Sequence, residues 1–348
     1  MASLTVSNST NNSSVTHQIG KMSSFVLQNT SQQDVALHGS TDNFDFIIAS
    51  DGHGIGPYKH ALRDLFNSLD WSSILQNENW YKNDIDEEGN YISPLFATLH
   101  SNTDAFSKSI STRQGCTLSV VLIYTDYFEC FTIGDSTIKI LEKSEGGEWS
   151  RTFVSVDHDL NFTEDVAHLE VRKRSDALFC RRNWERNSIM VQNGIHKSKV
   201  FRLKAIDENK ITMEQSAYFD FDDDSRLNMT RSLGHYPTSF IVKNAAHIGH
   251  TLSCCEHSLT RVRIDRKPDL NYVLFAATDG VWDVTAESIE RGFIDLIAED
   301  ASAAEKIVHR VKELWGQQWH YIWEGEDSGK TTVPDWNRDD IGVAVAFC

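Results

Sequence analysis

The chain has 348 residues, 40% hydrophobic and 24% charged, with a formal net charge of −17. Such a composition supports a sizeable buried core, and the acidic balance argues against a nucleic-acid partner, whose phosphates it would repel. The longest apolar runs, such as Leu118 to Tyr124 and Tyr272 to Ala277, are far too short to cross a bilayer, so no membrane partner is expected.

In chain order, residues 1–22 are rich in Ser, Thr and Asn and read as a disordered tail, with 23–348 forming one domain. No charged segment followed by an apolar one opens the chain, so no secretory leader is expected, and Ala2 in place of Gly removes the usual myristoylation signal. The six cysteines, Cys116, Cys130, Cys180, Cys254, Cys255 and Cys348, follow neither a zinc spacing nor a compact disulfide framework. Reduced thiols in the cytoplasm are therefore the expectation, with the nucleus also open. A monomer is expected.

The first strand signal is Phe25-Val26-Leu27. The run from Phe44 to Ser50 ends in Asp51-Gly52-His53-Gly54. Pro57 suits the first position of a helix whose inner face carries Ala61, Leu62, Leu65, Phe66 and Leu69. Ser93-Pro94 opens a second helix. Strands follow over Thr117 to Tyr124, Phe128 to Ile133, Ile138 to Leu141 and Arg151 to Val154. Residues 160–175 read as helical, and 176–230 as irregular with short strands such as Lys199 to Leu203. The acid-rich 220–224 reads as a solvated loop. The run Tyr272 to Ala277 leads into Thr278-Asp279-Gly280. Two helices follow, lined by Ile289, Phe293, Leu296 and Ile297, then by Ile307, Val308, Val311, Leu314 and Trp315. The segment Trp319 to Trp336 has no assigned element, and an insertion loop is one reading of it. Ile341 to Phe347 closes the chain as a strand. Strands and helices come in blocks rather than in βαβ alternation, which indicates an α+β fold.

Asp51 and Asp279 each end an apolar strand and precede a glycine, which lets another group approach the backbone. Asp135, framed by Gly134, and Asp339 and Asp340, ahead of the last strand, also sit at strand ends. Asp34 lies just before the first tip strand. One such Asp is usually a turn former or helix cap. Several at comparable boundaries suggest a shared site for Mg²⁺ or Mn²⁺, which prefer oxygen ligands. Two such ions about 4 Å apart polarise a phosphoryl oxygen and lower the pKa of water between them. His53, two residues after Asp51, suits proton donation to a departing alkoxide.

The ordered series Asp51-Gly52-His53-Gly54, Gly115-Cys116-Thr117, Ile133-Gly134-Asp135-Ser136, Asp157-His158, Thr230-Arg231-Ser232-Leu233-Gly234, Ala277-Thr278-Asp279-Gly280-Val281-Trp282-Asp283 and Asp339-Asp340-Ile341 resembles the PPM or type 2C metal-dependent serine/threonine phosphatases. The resemblance runs from about Gln33 to Cys348. It implies a central β-sandwich of two antiparallel sheets flanked by α-helix pairs, with two Mg²⁺ or Mn²⁺ ions at one edge, a place for a third, weaker ion, and a phosphorylated protein as substrate. By that resemblance Asp51 bridges both ions and activates the attacking water, the Gly52 carbonyl binds the second, and Asp279 and Asp339 hold the first. Asp34 acts mainly through water, Asp135 and Asp283 reach a third ion, and His53 is the general acid.

Three positions depart from the family. Asn29 stands where the family has a phosphate-binding Arg or Lys, with Arg63 and Arg113 as other candidates for that role. His235 replaces an acid, and Asp340 replaces Asn. The alternative reading is therefore a catalytically weak or inactive regulatory protein on the same fold. A nucleophilic-serine reading of Gly134-Asp135-Ser136 is disfavoured, since Ser136 enters a strand rather than an exposed, strained turn.

Overall fold

The computed structural model of the chain describes residues 21–29, 31–54, 60–105, 114–158, 191–192, 195–222, 225–227, 229, 231–234, 259–299, 302–323 and 325–348. The expected tail, save Lys21 and Met22, lies outside these residues, as do Pro57, Arg113, His235 and the helix expected over 160–175.

Two five-stranded antiparallel sheets form the centre. In the first, the order is Met22–Leu27, Ile341–Phe347, Leu270–Ala277, Thr137–Ser144 and Ser150–Val154. In the second it is Thr260–Asp265, Tyr127–Ile133, Leu118–Ile123, Asp45–Ser50 and Val35–Ser40. Side chains alternate across a strand, so strands covered on both faces are apolar at every position. Ile47, Ala49, Val121 and Ile123 meet Tyr272, Leu274, Ala276, Ala344 and Ala346 between the sheets. Their neighbours Phe46, Ile48, Val120 and Leu122 point outward, to a layer holding Phe66, Trp71, Leu95 and Phe96. That layer comes from helices Ala61–Ser68, Trp71–Leu75 and Pro94–Ala105. On the opposite side, Val273, Phe275, Val343 and Val345 pack against helices Glu287–Glu299 and Ala303–Gly316 through Phe293, Ile307, Val311 and Trp315. The molecule is an α+β sandwich with helices on both outer faces, as the sequence suggested.

The sequence reading assigned no element to the edge strands Val35–Ser40 and Thr260–Asp265, and two larger regions also differ from it. The stretch expected to be irregular contains the long strands Ile195–Ala205 and Lys210–Asp222, paired antiparallel. The second strand takes in residues 220–222 of the expected acidic loop. The unassigned segment after the last helix is a hairpin, Gln318–Trp323 with Glu326–Thr332. It joins the ribbon through parallel pairing of residues 210–212 with 320–322. These strands are rich in charged and small polar residues, so their pairing partners, more than their own hydrophobicity, define them. Among the described residues, no helix is long and apolar enough to cross a membrane.

Candidate metal centre

Each acidic strand tip is fixed by backbone bonding. The Asp51 N–H donates to the Thr117 hydroxyl at 2.8 Å, and the Thr117 N–H donates to the Asp51 carbonyl at 2.8 Å. The Thr117 hydroxyl also meets that of Ser136, which is buried. Asp135 therefore sits beside Asp51 on a turn where Gly134 has φ +89°, a conformation that favours glycine. Asp279 starts the short helix Asp279–Trp282, and the Asp283 N–H donates to its carbonyl at 2.9 Å. That i to i+4 step brings Asp279 and Asp283 onto one helical face. The Asp283 carbonyl accepts the Ala205 N–H at 2.7 Å, which ties the ribbon to this turn.

The glycines of both tips admit an opposing segment. A Cβ at Gly52 would lie 2.7 Å from the Gln33 carbonyl oxygen, and one at Gly280 would lie 1.9 Å from that of Asp340. The first approach brings in Asp34; the second brings in Asp339. As a result, oxygens of Asp51, Asp135 and Asp279 lie within 4.8 Å of one another. Burial pushes the Asp51 carboxyl well above the usual range, and the charges of Asp34, Asp279, Asp339 and Asp135 push it further. Asp34 is raised by burial, then by Asp340 and Asp279, against hydrogen bonds from Thr278 and Asp51. Asp339 is raised by burial, then by Asp279, Asp34 and Asp283.

Uncompensated charges of one sign are costly to bury. An all-oxygen set with several carboxylates fits hard divalent cations, so the donor chemistry agrees with Mg²⁺ or Mn²⁺. Of the expected acids, Asp51, Asp135 and Asp279 converge, while Asp34 and Asp339 act on Asp51 electrostatically and Asp283 acts on Asp339. Gly52 lies on the short strand Gly52–Gly54, paired with Gln114–Cys116. On the same strand, His53 turns Nε2 to 3.5 Å from Asp51 Oδ2 and is partly exposed.

No family model matches the chain, and no curated protein matches it. Solved structures do. The chain is similar in fold to type 2C serine/threonine phosphatases. It is 12% identical to serine-threonine phosphatase 2C from Toxoplasma gondii, with a TM-score of 0.49 over 96% of each chain. It is 13% identical to the Mycobacterium tuberculosis serine/threonine phosphatase PstP/Ppp, with a TM-score of 0.46 over 94% of this chain and 98% of that one. A C. elegans sex determining protein is 14% identical, with a TM-score of 0.47; the chain spans 64% of that protein's length.

Of the three positions that depart from the resemblance, Asn29 and Asp340 lie among the described residues and His235 does not. Asn29 does not reach outward as a base would: its Nδ2 donates to the Asp339 carbonyl. Arg63 Nη1 donates to the Gln32 carbonyl at 2.6 Å, and its Nε and Nη2 donate to Asp64 at 2.9 and 2.7 Å. Gln32 has φ 59°, and His60 Nδ1 also lies 3.0 Å from its carbonyl oxygen. Arg63 thus braces the loop next to Asp34. Ser136 is buried against Thr117, unlike an exposed nucleophile. The sequence reading gave Thr117 and Thr278 no role beyond their motifs, did not single out Ser31, and offered Arg63 for phosphate binding rather than as a support. Only the Asp-Asp doublet at 339–340 signalled that the last turn holds a second buried carboxylate.

Proposed function

We propose that the chain is a Mg²⁺- or Mn²⁺-dependent phosphatase acting on phosphoserine and phosphothreonine in proteins. The observation that carries this reading is the convergence of Asp51, Asp135 and Asp279 within 4.8 Å, inside a larger buried acid group. Asp51 and the Gly52 carbonyl, with Asp279 and Asp339, would hold two ions; Asp34 would act through water, and Asp135 and Asp283 would serve a third ion. When bound, such ions polarise the phosphoryl group and supply a nucleophilic water at neutral pH. His53 donates the proton that the departing serine or threonine alkoxide needs. Asp51 Oδ2, 3.5 Å from His53 Nε2, orients the imidazole. Thr117 holds the Asp51 backbone at 2.8 Å, which limits movement of the tip during turnover.

The test is phosphate release from a phosphothreonine peptide with Mn²⁺, with and without chelator. Activity that needs the ion and disappears in Asp279→Asn supports the proposal. Turnover without metal, or full activity of the variant, rejects it.

A catalytically weak protein on the same fold is the second reading, favoured by the engagement of Asn29 with the Asp339 carbonyl. Mn²⁺ binding by calorimetry with no turnover of any phosphopeptide in a library would select it.

A further inference from the structure

Asp340 is the most deeply enclosed acid of the last turn, 1% exposed, yet its oxygens face donors from the start of the chain. Oδ1 accepts the Asn29 N–H at 2.5 Å. Oδ2 accepts the Ser31 hydroxyl at 2.5 Å and the Gln33 N–H at 2.8 Å. The Asn29 side chain returns the contact by donating to the Asp339 carbonyl. The Asp339 carboxylate in turn accepts the Asp340 N–H at 2.9 Å. Four donors therefore fasten residues 29–33 to the doublet that precedes the last strand. Asp34 follows this fastened segment directly.

We propose that Asp340 is a positioning residue, a buckle that sets Asp34 and Asp339 at their mutual distance and takes no ion itself. Its Oδ2 already accepts two hydrogen bonds, which uses both of that oxygen's lone pairs. Two of the three donors on the carboxylate are backbone N–H groups, which cannot reverse polarity, so the site calls for an acceptor on both oxygens. An amide at this position would turn an NH₂ toward at least one N–H. Asp340 thus gains from its charge where a pure charge argument would count only repulsion from Asp34. The residue acts on the ions through the carboxylates it places, as outer partners of metal ligands commonly do.

This inference rests on the metal centre proposed above, and charge-neutral variants separate the two. Asn29→Ala with Ser31→Ala removes two of the four donors and leaves the net charge unchanged. Mn²⁺ affinity, measured by calorimetry on the folded full chain, is expected to fall roughly tenfold, in the range typical of outer-shell partners. Asp340→Asn is expected to fall at least as far, and to speed hydrogen exchange at the Gln33 amide of the metal-free protein. Unchanged Mn²⁺ affinity in the double variant, against a wild type that binds, overturns the buckle. A wild type that binds no Mn²⁺ removes the metal reading, and the Gln33 exchange then decides. Faster exchange in Asp340→Asn supports the buckle, and equal exchange overturns it.

Discussion

The carbonyl oxygen of Asp340 occupies the space where Gly280 would carry a Cβ, 1.9 Å from that ideal position. The two strand ends that present Asp279 and Asp339 can meet only because residue 280 has no side chain. The Trp315 indole, donating to the Gly280 carbonyl at 2.7 Å, closes the other side.

Gly280→Ala must push the doublet away from Asp279. Overpacking of this kind costs about 1–3 kcal/mol, and urea unfolding is expected to show a loss in that range together with weakened Mn²⁺ binding. Gly292, inside helix Glu287–Glu299, has nothing within 4 Å of its added Cβ. There the same substitution is expected to stabilise by about 0.5–1 kcal/mol through helix propensity. Equal effects at the two positions would contradict the packing described.

The buried acids set a pH dependence. Asp34, Asp51 and Asp339 have folded-state pKa values raised above their unfolded ones. Their stabilising contribution is complete below the unfolded value, about 3.9, and is lost as pH rises through the folded values. The metal-free protein is therefore expected to lose this contribution as pH rises above about 4 and through the raised folded values. Ions displace the bound protons, so the stabilisation on adding Mn²⁺ should grow with pH. Thermal melts with Mn²⁺ and with chelator, taken across that range, would show the two curves diverging upward in pH. Parallel curves would refute the account.

Thr117→Val keeps the side-chain shape and removes the acceptor of the Asp51 N–H. A buried donor left unsatisfied costs about 1–3 kcal/mol. The variant should unfold at lower denaturant and bind Mn²⁺ less tightly, whereas Thr117→Ser should stay close to the parent in both measurements.

Behind the site, Glu290 is 2% exposed and is met by Lys139 Nζ at 2.6 Å and Arg151 Nη2 at 3.4 Å. Lys139 also lies 3.7 Å from the centre of the Trp282 ring, one residue before Asp283. Lys139→Met would leave most of the buried charge on Glu290 uncompensated, a loss of about 3 kcal/mol. Adding Glu290→Gln to that variant should restore part of it in denaturant titrations.

The sandwich is legible in the sequence because its inner strands are apolar on both faces; Leu118–Ile123 is buried at every position. The tips are legible because Asp-Gly at the end of such a run is a local pattern. The ribbon and hairpin are not, since Glu326–Thr332 is mostly exposed and polar. Their pairing spans about a hundred residues, from 210–212 to 320–322. The bonds of Asn29 are hidden for a similar reason: the resemblance marks it only as lacking the family's base, while its partners, Asp339 and Asp340, are nearly the whole chain away.

The fastening of Asn29 to Asp340 joins residues 311 positions apart. A growing chain emerges N-terminal end first, at about 5–20 residues per second, so residues 29–34 wait for their anchor until almost everything between has been made. Strand Met22–Leu27 waits with them for Ile341–Phe347. Loop closure over such a span is among the costlier steps of assembly. During synthesis, the segment leading to Asp34 gains its anchor only after the doublet arrives, so on the proposed metal reading capture of an ion at the complete centre would be a late event in the life of each molecule.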